Sequence, residues 1–220
     1  MLNKIKSFFR KMKDKRLFKK AIKKLDAGYY QEAAEILFKI EKSEALDQVM
    51  LYFNLAGALI GQDKLIEGEE YLNTAIAIES EYDFLWATLA EVNILEKKWE
   101  AAAKAINKAL DLAPEKKIYQ LKKEVICGSE ELKTNYLKYF SLLKESIAEQ
   151  KKENWKKSVL LLKEAVNYYD QTGYVYNQIG AIYNNNLGDS KLAAKFFKKA
   201  IEKEPDNQVF IRNLKQVLQS

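Results

Sequence analysis

The sequence predicts an all-α protein, a right-handed α-solenoid of helix-turn-helix repeats with an N-terminal amphipathic helix and a C-terminal capping helix. Three observations predict it. The 220 residues include only 8 Gly and 2 Pro, while Ala, Leu, Lys and Glu are abundant, which favours long helices over strands and tight turns. Apolar residues recur at spacings of three and four, the period of a helix face. The pattern as a whole then recurs every 34 residues, about the length of one helical hairpin.

In chain order, residues 1–13 read as a basic amphipathic helix. At about 100° per residue, Leu2, Ile5, Phe8, Phe9 and Met12 fall on one side, and Asn3, Lys4, Lys6, Ser7, Arg10, Lys11 and Lys13 on the other. The next apolar set, Leu17, Phe18, Ala21, Ile22 and Leu25, points nearly the opposite way. It opens the first repeat, 14–47, which continues through Tyr30, Ala33 and Leu37. No Gly or Pro separates Met12 from Leu17, so a straight helix and a turn near Lys13–Arg16 are both open. The second repeat, 49–82, carries Tyr52, Leu55 and Ala56, then Leu65, Gly68, Leu72 and Ala75. The third, 83–116, carries Trp86, Leu89, Ala90 and Asn93, then Trp99, Ala102, Ile106 and Ala109, and Pro114 closes it.

The frame then breaks, and residues 117–138 read as an insertion or an eroded repeat. Ile118, Leu121 and Val125 predict a short helix ending at Cys127-Gly128. Ser129, with Glu130 and Glu131 after it, has the chemistry of a new helix start, and that helix runs to about Gln150. Repeat 139–172 fits in its second half through Trp155, Ser158, Leu162 and Ala165. Repeat 173–207 fits through Tyr176, Ile179, Gly180, Tyr183, Ala193, Phe197, Ala200 and Pro205, with one extra residue near Asn186. A front lobe (14–116) and a back lobe (139–207) result. Val209, Ile211, Leu214 and Val217 make 208–220 the capping helix. The "GALIG" at 57–61 has GxxxG spacing, and its flanks assign it to a helix crossing rather than a membrane span.

Trp86-x2-Leu89-Ala90-x2-Asn93, then Ala102-x3-Ile106, Ala109 and Pro114, resembles the tetratricopeptide repeat. So does Tyr176-x2-Ile179-Gly180-x2-Tyr183, then Ala193-x3-Phe197, Ala200 and Pro205. The resemblance covers about 14–116 and 139–207. It implies binding of a protein or peptide partner on a concave face lined by the first helix of each pair. Repeat alignment puts Met50, Phe53, Asn54, Gly57, Phe84, Ala87, Thr88 and Glu91 on that face in the front lobe. In the back lobe it puts Phe140, Leu143, Ile147, Tyr174, Asn177, Gln178, Ala181 and Asn184 there. Phe53 and Phe84 are equally readable as core between repeats. The family's clamp for a C-terminal carboxylate uses Lys, Asn and Arg. Asn54 is suitably placed for it, but Phe53, Gly57 and Thr88 depart from it, which argues against acidic chaperone tails. A mainly apolar front groove suits an amphipathic helix or an extended apolar peptide.

Composition narrows the chemistry. There is no His, which removes His triads, His metal sites and imidazole switches. There is no phosphate-binding loop, no dinucleotide fingerprint and no nucleophile elbow. The one cysteine, Cys127, has no His to activate it and no partner for an intramolecular disulfide. The expectation is a non-enzyme with no catalytic residues, no cofactor and no metal, in a reducing, cytoplasmic setting. The longest uncharged runs, 48–62 and 171–188, do not read as membrane spans, and the basic N-terminus lacks the apolar core of a signal peptide.

Charge is uneven. Residues 1–24 hold eleven basic residues and one acid, a net of +10, and the other 196 residues hold 26 basic and 30 acidic, a net of −4. Three readings of the N-terminal strip follow. The first is a cap that folds back, even into the front groove. The second is a peripheral anchor on an anionic membrane surface, at the inner face, through Lys4, Lys6, Arg10, Lys11 and Lys13. Nucleic acid comes last, because gripping phosphates does not need an apolar stripe.

Overall fold

The computed structural model describes the backbone of residues 2–219 and the side chains from Phe8 to Gln219. Among the described residues there are twelve α-helices and no strand. No described helix is long and apolar enough to cross a membrane. The chain divides into two compact units, Met1–Cys127 and Gly128–Ser220.

The first unit contains α1 (Leu2–Asp26), α2 (Tyr30–Lys39), α3 (Gln48–Ile60), α4 (Leu65–Ile78), α5 (Asp83–Leu95), α6 (Trp99–Leu112) and α7 (Lys117–Cys127). Three hairpins, α1/α2, α3/α4 and α5/α6, pack in sequence, and α7 packs on α6. The second unit contains α8 (Glu130–Lys151), α9 (Trp155–Tyr168), α10 (Tyr174–Asn185), α11 (Ser190–Lys203) and α12 (Gln208–Gln219). Its hairpins are α8/α9 and α10/α11, and α12 lies against α11 and α10. The start of α8 is chemical: the Ser129 hydroxyl accepts from the Leu132 N–H, and Glu130 and Glu131 sit in the positive first turn.

Within each hairpin the two helices cross at a pair of small residues. The pairs are Ala21/Ala33, Ala56/Gly68, Ala90/Ala102, Ser146/Ser158 and Gly180/Ala193, and all ten residues are buried. A Cβ placed on Gly68 would come within 2.7 Å of Ile60 Cγ1, and one on Gly180 within 2.7 Å of the Phe197 ring. In α8/α9 two hydroxyls meet instead, Ser146 Oγ and Ser158 Oγ at 2.8 Å, which pairs both at a buried site. "GALIG" splits between two roles. Gly61 abuts the Tyr30 ring of α2, where a Cβ would lie 2.4 Å away, whereas a Cβ on Gly57 would meet nothing within 4 Å.

The turn inside each hairpin repeats as well. One residue per turn takes the left-handed conformation: Gly28 (φ 74), Asp63 (φ 69), Lys97 (φ 60), Glu153 (φ 59) and Gly188 (φ 66). In the first four the N–H of that residue reaches back three residues and the next N–H reaches back five. Lys97 N to Ile94 O (2.9 Å) and Lys98 N to Asn93 O (2.8 Å) show the pattern, a Schellman ending. The α10/α11 turn carries one more residue, and there Leu187 N bonds Ile182 O and Asp189 N bonds Tyr183 O. That is where the sequence shows its extra residue.

Helix α1 runs unbroken through Lys13–Arg16, so the chain does not turn there. Ala21 is fully buried in a cluster with Leu37, Leu51 and Leu55, and Leu17, Phe18 and Leu25 pack on it. Asp14 marks the N-terminal end of this contact: its Oδ2 accepts a 2.6 Å hydrogen bond from Ser43 Oγ. A turn near residue 14 is unnecessary because the helix leaves its repeat there and continues.

The turns generate two predictions. Lys97 has a Cβ in the left-handed region, which costs about 1–2 kcal/mol, partly offset in glycine by its larger unfolded-state entropy. Lys97→Gly should therefore raise unfolding free energy by about 0.5–1 kcal/mol in urea titration, and a loss of stability would contradict the assignment. Glu149 is buried at the α8/α9 turn, accepts from Asn154 Nδ2 (2.7 Å) and Lys152 Nζ (3.1 Å), and pairs with Lys157 (3.2 Å). Those hydrogen bonds hold its carboxyl down at about 2, against 4.5 ordinarily. A depressed carboxyl contributes stability that is complete above its unfolded pKa and lost as pH falls through the folded one. Glu149→Gln should thus be less stable than the native chain at about pH 6, with the gap closing as pH falls from 4.5 to about 2. A gap that stays constant over that range would show that the charge of Glu149 does not matter.

Candidate functional site

The first helices of the first unit, α3, α5 and α7, present a continuous row of side chains. Asp47 starts α3 by accepting from the Val49 and Met50 N–H groups, and this fixes the rotation of the helix. Leu51, Leu55, Ala56, Ala58 and Leu59 then go inward, and Met50, Phe53, Asn54 and Gly57 are left half-buried on another face. On α5 the same register leaves Phe84, Thr88 and Glu91 half-buried, while Ala87 is buried. On α7 it leaves Ile118 exposed and Lys122 half-buried.

Aromatic rings meet at one end of this row. Phe53 and Phe84 stand edge to face at 4.9 Å, and Tyr82 stacks on Phe84 at 5.4 Å. Both phenylalanines also pack on a buried cluster of Val49, Ala75 and Leu85. They form the margin of the core, and each keeps part of its ring at the surface. One turn on from Phe53, Gly57 has open space over its Cα. At the other end Lys122 Nζ pairs with Glu91 Oε2 at 2.6 Å and points toward the Ala87 carbonyl at 3.4 Å. Side-chain exposures of 17% and 14% put this pair between a surface and a buried bridge, so it joins α5 to α7 more firmly than an exposed pair would.

The short polar side chains in the row serve their own helices. Asn54 Nδ2 donates to the Met50 carbonyl at 2.6 Å, and Thr88 Oγ1 donates to the Phe84 carbonyl at 2.8 Å. A second polar cluster anchors the start of α7: Asp83 accepts from Tyr119 Oη at 2.5 Å and from Lys116 Nζ. Burial opposes the Asp83 charge, yet these two donors hold its carboxyl below the usual range, while burial and the carboxylate push Tyr119 up to about 12.

In the second unit the polar row is bonded within itself. Gln178 Nε2 donates to Tyr174 Oη at 2.7 Å, Asn213 Nδ2 of α12 donates to Asn177 Oδ1 at 2.9 Å, and Asn184 Nδ2 donates to Asn185 Oδ1 at 2.8 Å. Phe140 lies beside Tyr136 and Tyr139, with ring centroids 5.7 and 6.2 Å away, and Leu143 and Ile147 are half-buried. At the N-terminus Arg10, Lys11 and Lys13 are exposed on α1, and the side chains of Lys4 and Lys6 lie outside the described residues.

Sequence reasoning missed Lys122. Helix α7 begins 34 residues after α5, and Asn54, Thr88 and Lys122 are themselves 34 apart. Tyr119, Leu121 and Ile126 are buried just as Leu85, Ala87 and Val92 are. The frame looked broken because Lys123 and Glu124 stand where Leu89 and Ala90 stand. In α5 those two positions are buried in the α5/α6 hairpin, and in α7, which has no second helix to pair with in its unit, they are exposed.

Among solved structures the chain is similar to the thermophilic tetratricopeptide-repeat protein TTC0263 of Thermus thermophilus, at 16% identity and TM-score 0.50, over 94% of this chain and 100% of that one. It is also similar to the P58(IPK) TPR domain (14% identity, TM-score 0.47, 94% and 65% of the two chains). MamA AMB-1 is a further match (18% identity, TM-score 0.43, 91% and 97%). No family model matches the chain, and no curated protein does. The repeated hairpin, its small-residue crossing and the likeness to TTC0263 give the chain the tetratricopeptide-repeat fold.

Proposed function

We propose that the chain is a non-enzymatic adaptor that binds a peptide or helix of a partner protein along the row from Phe53 and Phe84 to Glu91 and Lys122. The observation that carries this reading is Gly57. A glycine in mid-helix costs about 1 kcal/mol relative to alanine. At Gly68 and Gly180 packing accounts for it, because a Cβ would collide with a neighbour. At Gly57 a Cβ would meet nothing within 4 Å, so packing does not account for it. The close approach of a bound backbone does.

The row also suggests what approaches. Phe53 and Phe84 offer ring surface to an apolar side chain, and the Glu91–Lys122 pair offers one acceptor and one donor group to a polar one. The row has no cluster of cations for an acidic tail. In the second unit Asn177, Gln178 and Asn184 are bonded to neighbouring side chains and fit a supporting role. With one cysteine and no histidine in the chain, an intracellular, reducing setting and the absence of catalysis belong to the same reading.

Selection of a displayed random-peptide library on the immobilised full-length chain tests it. Enriched peptides should carry an apolar anchor and bind to a single site. Gly57→Ala should stabilise the fold by about 0.5–1 kcal/mol. Gly57→Leu should keep its helical circular dichroism and lose at least about tenfold in peptide affinity, about 1.4 kcal/mol. Peptides that bind Gly57→Leu as well as the native chain, or a selection that enriches nothing, would sink the reading.

A further inference from the structure

Helix α1 has an outer face that none of the described residues covers. Its inner face, Leu17, Ala21 and Leu25, packs on the first repeat. At about 100° per residue the opposite sector holds Phe8, Phe9 and Met12, then Arg16, Lys19, Lys20 and Lys23 about one to three turns beyond Met12. Phe8 is 60% exposed, Phe9 64% and Met12 38%, and the four basic residues are exposed. Arg10, Lys11 and Lys13 flank the apolar group and are exposed as well. The only acid in residues 1–24, Asp14, is turned away, onto Ser43. Lys24, by contrast, is paired with Glu32 at 2.7 Å and lies over the Tyr29 ring, outside this sector.

We propose that this face of α1 docks on an anionic lipid bilayer, with Phe8, Phe9 and Met12 inserted below the headgroups and Arg16, Lys19, Lys20 and Lys23 on the lipid phosphates. Both halves of the face are needed for the argument. A run of cations with no acid among them is complementary to any polyanion. Two adjacent, well-exposed phenylalanines at one end of that run are complementary only to a surface that is anionic outside and apolar a few ångströms deeper. The order along the helix also sets the geometry. Aromatic residues come first and long basic side chains follow on the same sector, so the N-terminal turns dip into the interface while the repeats stay above it. This docking is independent of the peptide row, which lies on α3, α5 and α7.

Co-sedimentation of the full-length chain with vesicles of phosphatidylcholine alone, or with about 30% phosphatidylglycerol, tests the proposal. The native chain should bind the anionic vesicles and not the neutral ones, and raising salt should weaken binding. Phe8→Ser with Phe9→Ser should weaken binding at least tenfold without changing the helical circular dichroism. Lys19→Gln, Lys20→Gln and Lys23→Gln together should do the same and remove most of the salt dependence. Failure of the native chain to bind anionic vesicles overturns the proposal. So does binding that survives loss of the two phenylalanines but not of the lysines, which marks simple adsorption to a polyanion such as RNA. A native dimer in analytical ultracentrifugation that becomes monomeric on Phe8→Ser/Phe9→Ser, with no vesicle binding, assigns the face to a second copy of the chain instead.

Discussion

The constraint on which the rest of the structure depends is the close crossing of two helices at a pair of small residues. At Ala56/Gly68 the backbones approach until a single added methyl on Gly68 would lie 3.4 Å from the Ala56 carbonyl and 2.7 Å from Ile60. A larger side chain at such a site costs strain of about 1–3 kcal/mol. Because each pair is separated by a similar length of chain, each turn must reverse direction in the same few residues, and a left-handed residue does so every time. Hairpins built to one geometry expose matching faces. Leu51, Leu55, Leu72, Leu85, Ile94 and Ile106 are fully buried within and between them. The Ser146/Ser158 pair shows that size governs the site more than polarity does. Two hydroxyls replace two methyls there because they can satisfy each other.

This explains what was legible in the sequence. Crossing residues and core residues recur at a fixed interval, so the 34-residue period, the hairpins, the Ser129 start and the extra residue near Asn186 all leave a mark. Features that depend on what lies next to an element do not. Helix α7 keeps the buried positions of a first helix but loses the two that a second helix would cover, so Lys123 and Glu124 hide its register. Gly57 and Gly61 look equivalent as a GxxxG pair, yet only Gly61 faces a neighbouring ring. Position alone also cannot tell what a polar side chain does. Asn54 and Thr88 lie in the row that the repeat alignment indicates, but each bonds to the carbonyl four residues back.

The same logic separates α1 from the rest of the fold. A body of net charge −4 and a segment of net charge +10 attract one another, and an N-terminal strip that folded back would gain from that attraction. Folding back requires breaking a helix that has no Gly or Pro between Met12 and Leu17, and whose Asp14 is bonded to Ser43 rather than to a helix N–H. Asp14, held by Ser43, is the most N-terminal described residue bonded to the first repeat, and Phe8 lies about 9 Å further along the axis. Phe8, Phe9 and Met12 are therefore carried away from the repeats by the rigidity of the helix that anchors them. Their exposure follows from that continuity, and so does the independence of the α1 face from the peptide row.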